Sequence, residues 1–170
     1  MPALVLSAAT PSDAPLLTRL IRAGKAHWGY PAEWLDAWKD ELTISPEQVE
    51  AWHVRIASYQ GELVGFFALA HHDGDWWLEH LWLVVDRIGH GFGGELFRRA
   101  LTAAAGLGAV RLRIEADPNA EGFYLHMGAK RDGERVRTWA GTTRVVPRLV
   151  CTLAERREAE PGAAPDRPRD

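Results

Sequence analysis

Four glycines fall within six residues in the segment Asp86-Arg87-Ile88-Gly89-His90-Gly91-Phe92-Gly93-Gly94-Glu95-Leu96. A strand-like run at 76–85 precedes this segment, and an Ala- and Leu-rich run at 95–105, which favours helix, follows it. Because glycine has no side chain, backbone amides at the positive end of a helix can approach a phosphate closely. The segment predicts a loop that binds a diphosphate; glycines that serve only a sharp turn are the alternative.

The sequence on both sides of this loop predicts one domain of the α/β (α+β) class. Upstream, apolar periodicity and turn residues predict a strand at 3–8 and helical segments around 16–21, at 32–42 and from 45. They then predict a three-stranded antiparallel meander at 53–59, 63–70 and 76–85. The same signals downstream predict a strand, a helix and two strands, at 110–115, 117–128, 130–139 and 144–153.

Composition agrees with one ordinary globular domain. The chain has 170 residues, of which 46% are hydrophobic and 25% are charged. We expect residues 1–153 to form the domain, and residues 154–170, which lack apolar periodicity, to form a disordered tail. The single cysteine, Cys151, lies in an alternating apolar run, which predicts a buried core residue.

Charge, hydropathy and histidine spacing argue against several kinds of ligand and partner. The net charge of −3 gives no field that would attract nucleic acid or an anionic membrane, so we expect neither as a partner. No apolar run approaches the ~18 residues of a membrane span, and no secretory leader precedes the domain, which predicts a cytoplasmic protein. His53, His71 and His72 lack the spacing of metal ligands, so we expect no metal.

The glycine loop also matches a dinucleotide-binding pattern. Gly89, Gly91 and Gly94 satisfy G-x-G-x-x-G, and Glu115 follows about 20 residues later, where a ribose-binding acid would stand. In such proteins, however, the glycines follow the first strand of a parallel sheet, and here they follow an antiparallel meander. The dinucleotide interpretation is therefore the weaker of the two.

The spacing of Gly91 and Gly93, together with the block Asp-Pro-Asn-Ala-Glu-Gly-Phe-Tyr-Leu-His-Met-Gly-Ala at 117–129, resembles the GNAT superfamily of acyl-CoA-dependent N-acetyltransferases. The signature of that family is Q/R-x-x-G-x-G/A, and Ile88 departs from it at the Gln/Arg position, with Arg87 one residue early. The resemblance covers about residues 3–153. It implies a mixed, mainly antiparallel sheet flanked by helices on both faces.

The activity that this resemblance implies is transfer of an acetyl group from acetyl-CoA to a primary amine of a small molecule or peptide, by direct attack in a ternary complex. A non-catalytic acyl-CoA sensor is the alternative, and a homodimer is compatible with the family. The residues implied to bind acetyl-CoA are Leu83, Ile88, Gly89, His90, Gly91, Phe92, Gly93, Gly94 and Asn119. Among these, Leu83 would contribute its backbone amide, and Asn119 would bond the cofactor or cap a helix.

Resemblance and chemistry together suggest the catalytic groups. Tyr124 stands where the family often has the acid that protonates the thiolate, and a phenol remains protonated at neutral pH. Glu79 is our candidate base, and His80 is a second candidate. Strand alternation predicts that Glu79 and His80 point to opposite faces, so only one of them could face the acetyl group. An acceptor amine that arrives neutral would need neither.

The resemblance also locates the acceptor pocket, at the connection between the first two helices. Its predicted wall consists of His27, Trp28, Tyr30 and Trp34, whose flat rings suit an apolar, aromatic or cationic amine. For Trp34, burial on the core face of its helix is the competing interpretation.

Overall fold

The computed structural model describes residues 3–139 and 141–153, so the tail predicted at 154–170 lies outside the described residues. The strands are β1 (Val5–Ala8), β2 (His53–Tyr59), β3 (Glu62–His72), β4 (Asp75–Leu83), β5 (Arg111–Glu115), β6 (Lys130–Trp139) and β7 (Thr142–Thr152). The helices are α1 (Ala14–His27), α2 (Ala32–Ala37), α3 (Pro46–Ala51), α4 (Phe92–Gly106) and α5 (Glu121–His126). Short 3-10 turns precede α1 and follow β4.

The seven strands form one sheet in the order β1-β2-β3-β4-β5-β7-β6. All neighbouring strands are antiparallel except β4 and β5, which α4 connects. Helices α4 and α5 bury Phe97 and Tyr124 against one face, and α1 and α3 bury Ile21 and Val49 against the other. The predicted mixed, mainly antiparallel sheet with helices on both faces is confirmed.

Strands β4 and β5 separate soon after they meet. In the described chain they pair at two positions, Trp76 with Leu112 and Trp77 with Arg113. Beyond Trp77 the edge of β4 that faces β5 has no strand partner among the described residues. The separation opens the sheet at its centre and leaves backbone groups of β4 available to a ligand.

Strand β4 also contains a bulge. Ala68 of β3 pairs with His80, whereas the next residue, Leu69, pairs with Leu78. Glu79 is therefore an extra residue without a partner in β3, and such a residue interrupts the two-residue alternation of side chains.

Because of this bulge, Glu79 and His80 lie on the same face of the sheet. Glu79 bonds to His72, and the ring of His80 packs against Trp52 and Phe66, on the side covered by α1 and α3. The prediction that Glu79 and His80 point to opposite faces is wrong, since it assumed an unbroken alternation.

The helix predicted at 32–42 is shorter than expected. α2 ends at Ala37, and the residues up to Leu42 form turns. Trp38 and Leu42 are both buried. The apolar residues whose spacing predicted a longer helix therefore enter the core from turns. Cys151 is buried as expected. None of the helices described is long and apolar enough to cross a membrane.

Candidate active site

The gap between β4 and β5 opens into a cavity of about 500 Å³, which we call the loop-side cavity. Residues 78–83 of β4 and 114–117 at the end of β5 form its walls, and Tyr124 of α5 adds to them. The glycine loop contributes Ile88, Gly89, Gly91, Gly93 and Gly94. The structure thus brings most of the predicted cofactor-binding residues to one cavity.

The glycine loop adopts a conformation that favours glycine. Gly89 and Gly91 have φ angles of 82° and 83°, in the left-handed region where a Cβ atom is strained. Gly91 immediately precedes α4, a helix of 15 residues. The amides at this helix end carry a partial positive charge and face the cavity, which suits a phosphate.

Ile88, which lines the cavity, is 39% exposed, whereas two other predicted loop residues, His90 and Phe92, are not among the lining residues. His90 is exposed, with its Nδ1 atom 3.0 Å from the carbonyl oxygen of Ile88. The side chain of Phe92 is buried in the core against Tyr59, so a ligand in the cavity could meet only its backbone.

The backbone of Leu83 faces the gap. The amide of Val84 donates to the carbonyl of Val64 in the neighbouring β3 region, at 2.8 Å. Since successive amides of a strand point in opposite directions, the amide of Leu83 points away from β3, toward the separated β5. It can donate a hydrogen bond to a carbonyl oxygen in the cavity.

Tyr124 lies at the inner wall of the loop-side cavity. Its ring packs against Phe97 and Phe123, and the residue is 7% exposed. Burial, with a smaller effect of nearby Cys151 and Asp117, raises the pKa of Tyr124 well above that of a free phenol. The hydroxyl remains a proton donor throughout the neutral range.

Glu79 is held by a histidine that the sequence analysis left unused. His72 Nε2 lies 2.5 Å from Glu79 Oε1, and His72 Nδ1 lies 3.0 Å from Asp73 Oδ2. The His72 ring also stacks on Trp77 with an interplanar angle of 6°. Burial opposes the charged form of His72, but the bonds to Asp73 and Glu79 outweigh it and raise the pKa of this histidine. No sequence signal reveals the pair, because a hairpin and a bulge create it.

His80 is half-buried and lines both cavities. Burial lowers the pKa of His80 to about 4, and its Nδ1 accepts a hydrogen bond from Trp82 Nε1 at 3.2 Å. The ring is therefore neutral at physiological pH.

A buried network, which we call the Asp117 cluster, joins α1, the α1–α2 connection and β7. Asp117 accepts from Lys25 Nζ, from Arg144 at 2.8 Å and from the Tyr30 hydroxyl at 3.0 Å. The Asn119 side chain donates to the Tyr30 hydroxyl at 3.0 Å. Burial raises the pKa of Tyr30 and lowers that of Lys25; it also opposes ionisation of Asp117, but the bonds and charge of Lys25 outweigh this and keep the Asp117 pKa low.

The predicted acceptor wall is divided between two environments. Trp28 lines the loop-side cavity, and the ring of His27 packs against Trp28. Tyr30 and Trp34 instead pack against Trp38, with the Tyr30 hydroxyl in the Asp117 cluster, and neither is among the residues lining the two cavities of the described structure. This position of Trp34 agrees with the core interpretation.

A second cavity, of about 450 Å³, lies on the α1 side of β4; we call it the charged cavity. Seven residues line both cavities: Leu78, Glu79, His80, Trp82, Glu115, Ala116 and Asp117. The other walls of the charged cavity come from elements far apart in the chain, and its charged members are Lys25, Asp40, Glu41, Asp73, Glu79, Glu115, Asp117, Arg135, Arg137, Arg144 and Arg148. Three of the arginines bond to Glu115: Arg135, Arg137 and Arg148. Among the residues described, no group of three or more acidic, His or Cys side chains could hold a metal ion.

Comparison with known proteins places this geometry in a family. The sequence matches the acetyltransferase (GNAT) family over residues 18–129. A GCN5-related N-acetyltransferase from Rhodopseudomonas palustris is 23% identical, with a TM-score of 0.74 over 90% of this chain and 96% of that one. The PaiA N-acetyltransferase from Thermoplasma acidophilum, in complex with coenzyme A, is 16% identical, with a TM-score of 0.67 over 88% and 99%.

A third similar structure is the spermidine/spermine N-acetyltransferase SpeG from Vibrio cholerae, at 19% identity and a TM-score of 0.66 over 92% of this chain and 97% of that one. No curated protein matches the sequence closely enough to count as a relative. The family match spans more than half of the chain, so the protein belongs to the GNAT acetyltransferase family and is an acyltransferase.

Proposed function

We propose that this enzyme transfers an acetyl group from acetyl-CoA to a primary amine by direct attack in a ternary complex. The observation that carries the proposal is that two cavities adjoin along β4 and share the segment around Glu79 and His80, together with residues 115–117. One cavity would hold the acyl donor and the other the amine, so the two reactants would meet at this bulged segment without a covalent enzyme intermediate.

The residues of the loop-side cavity fit coenzyme A. The left-handed glycines and the first turn of α4 offer amides to the two phosphates, and the free edge of β4 offers hydrogen bonds to the extended arm of the cofactor. When bound, acetyl-CoA supplies the acetyl group as a thioester. The Leu83 amide would donate to the carbonyl oxygen as it gains negative charge. Asn119, within the Asp117 cluster, would reach the cofactor only if its bond to Tyr30 were exchanged.

Tyr124 is the proposed acid. As the carbon–nitrogen bond to the amine forms and the carbon–sulfur bond breaks, the Tyr124 hydroxyl gives its proton to the departing sulfur. Its place on the wall of the loop-side cavity supports this role, and its raised pKa keeps the hydroxyl protonated until the sulfur departs, although it also makes the group a weaker acid.

Glu79 is the proposed base, and His72 its positioning residue. Glu79 lines both cavities, so its carboxylate is within the region where the amine loses its proton. The bond to His72, itself stacked on Trp77, restricts the Glu79 side chain to one orientation. His80 is the weaker candidate, because its Nδ1 already accepts a hydrogen bond from Trp82 and its pKa is lowered to about 4.

Thiol release from acetyl-CoA across a panel of amines tests the proposal. We expect Tyr124→Phe to lower kcat by ~100-fold or more, the usual contribution of a general acid, while the Kd for CoA stays unchanged. Phe97→Leu, a change in a ring that packs on Tyr124 but does not line the cavity, is the control for packing. Unchanged kcat in Tyr124→Phe would refute the role of the hydroxyl.

The thiol-release assay and a measurement of thermal stability separate the alternatives. A sensor would bind CoA and acetylate no amine in the panel. A dinucleotide-binding protein would be stabilised against heat by NAD but not by CoA, whereas we expect stabilisation by CoA and acetyl-CoA alone. The cytoplasmic location, the absence of nucleic acid, membrane and metal, and the homodimer remain predictions.

A further inference from the structure

Two of the six carboxylates that line the charged cavity lie apart from its basic groups. The β3–β4 hairpin contributes Asp73 and Glu79, joined through His72. The opposite wall, which we call the basic wall, consists of Lys25, Arg135, Arg137, Arg144 and Arg148. Among the described residues no ion pair connects Asp73 or Glu79 to the basic wall, since the basic groups pair with Glu41, Glu115 and Asp117 instead.

The basic wall has more donors than its carboxylates can use. Arg148, Arg137 and Arg135 share Glu115, with closest N···O distances of 2.9, 3.3 and 3.4 Å. Each guanidinium has five N–H donors, whereas one carboxylate offers about four acceptor sites. Five cations face four carboxylates on this side of the cavity, those of Glu115, Asp117, Glu41 and neighbouring Asp40. The wall can therefore accept one more anionic group.

The space between Glu79 and the basic wall is apolar and aromatic. Trp52, Trp77 and Trp82 line it, and the Arg148 guanidinium lies 5.8 Å from the centre of the Trp77 ring, on which His72 stacks. A volume of about 450 Å³ suits one small molecule. An acceptor whose amine lies beside Glu79 would extend past the tryptophans and end at the basic wall.

We propose that the acceptor is a primary amine that also carries an anionic group, a carboxylate or a phosphate, which the basic wall binds through its guanidinium groups. This inference rests on the proposed function of the same site. Guanidinium groups bind both anions through paired, charge-assisted hydrogen bonds. A polyamine is disfavoured, because its second cation would lie against Arg137, Arg144 and Arg148.

Two matched pairs of acceptors test the inference: phenylalanine against phenethylamine, and O-phosphoethanolamine against ethanolamine. A charge-assisted hydrogen bond contributes about 1.5–3 kcal/mol, so we expect kcat/KM to be about 10- to 100-fold higher for the anionic member of at least one pair. The pair that shows the preference identifies the anion as carboxylate or phosphate. Equal values within both pairs, or a preference for the members without an anion, would overturn the inference.

Variants of the basic wall sharpen the test. Arg148→Gln is expected to raise the KM for the preferred anionic acceptor by about tenfold while the KM for acetyl-CoA stays constant, and Arg148→Lys should recover part of the loss. Arg131→Gln is the matched control, since Arg131 pairs with Glu121 and Glu134 and does not line the cavity. An equal loss for anionic acceptors and for their counterparts in Arg148→Gln would mean that the arginine is only structural.

The two proposals can fail separately. If CoA binds but no amine is acetylated, the proposed function fails. The acceptor inference is then decided by thermal stability in the presence of CoA, where the anionic member of a pair should raise Tm and its counterpart should not. Stabilisation by neither member, or by both equally, would overturn it.

Discussion

The two cavities that meet at β4 differ in how they present polar groups. The loop-side cavity relies on main-chain amides from the glycine loop and the free strand edge, and most of its remaining wall is apolar. The charged cavity is lined by eleven charged side chains drawn from helices, hairpins and the β6–β7 pair. Backbone recognition suits a ligand common to a whole family, whereas recognition by side chains can be changed one residue at a time. The difference agrees with the proposal that the loop-side cavity holds the acyl donor and the charged cavity holds the amine.

Replacing Gly91 by Val is expected to have the largest effect on this comparison. A side chain there would block phosphate from several amides, and losing two charge-assisted bonds would weaken CoA binding by ~1,000-fold. Gly74→Val is the matched control, because Gly74 also has a positive φ, of 76°, but lies at the β3–β4 hairpin away from the cavity. Calorimetric titration with CoA measures the difference. Equal weakening by both substitutions would mean that backbone strain, not loss of the amides, is responsible.

Disrupting the Asp117 cluster should lower the free energy of unfolding. Asp117→Asn leaves Lys25 and Arg144 buried without their carboxylate, and breaking a buried ion pair costs about 3–5 kcal/mol. Urea unfolding would measure the loss in the free energy of unfolding. Glu62→Gln is the control, because the ion pair between Glu62 and Arg87 is exposed and should contribute little. A loss no greater than that of Glu62→Gln would show that the cluster is not a structural support of the acceptor side.

The smallest expected effect is a dependence of stability on pH that comes from His80. The folded pKa is about 4, below the ordinary value of 6.5, so the folded protein binds fewer protons than the unfolded chain between these values. The stability contribution is complete above pH 6.5 and is lost as the pH falls toward 4, by up to about 3 kcal/mol. His80→Gln should show a shallower decline than the wild type, and exposed His27→Gln should not. Parallel curves for all three proteins would contradict the neutral state of His80.

The prediction of the fold from sequence succeeded where signals are local. The strands at 53–59 and 130–139 have the predicted bounds, because alternation and turn residues act over a few positions. The prediction of α2 was too long, since apolar spacing alone does not distinguish a helix from buried turns. The bulge at Glu79 was missed because nothing in the β4 sequence marks one extra residue in a register set by β3.

What the sequence alone determined is the glycine loop, its place between a strand and a helix, and with these the resemblance to the family that the comparison confirms. These features are local, because a left-handed glycine and the helix that follows it need no distant partner. Only the tertiary structure decided the charged cavity. Lys25 meets Asp117 across 92 positions and Arg137 meets Glu41 across 96, so the charges of this cavity are brought together by packing, and no short pattern in the chain encodes them.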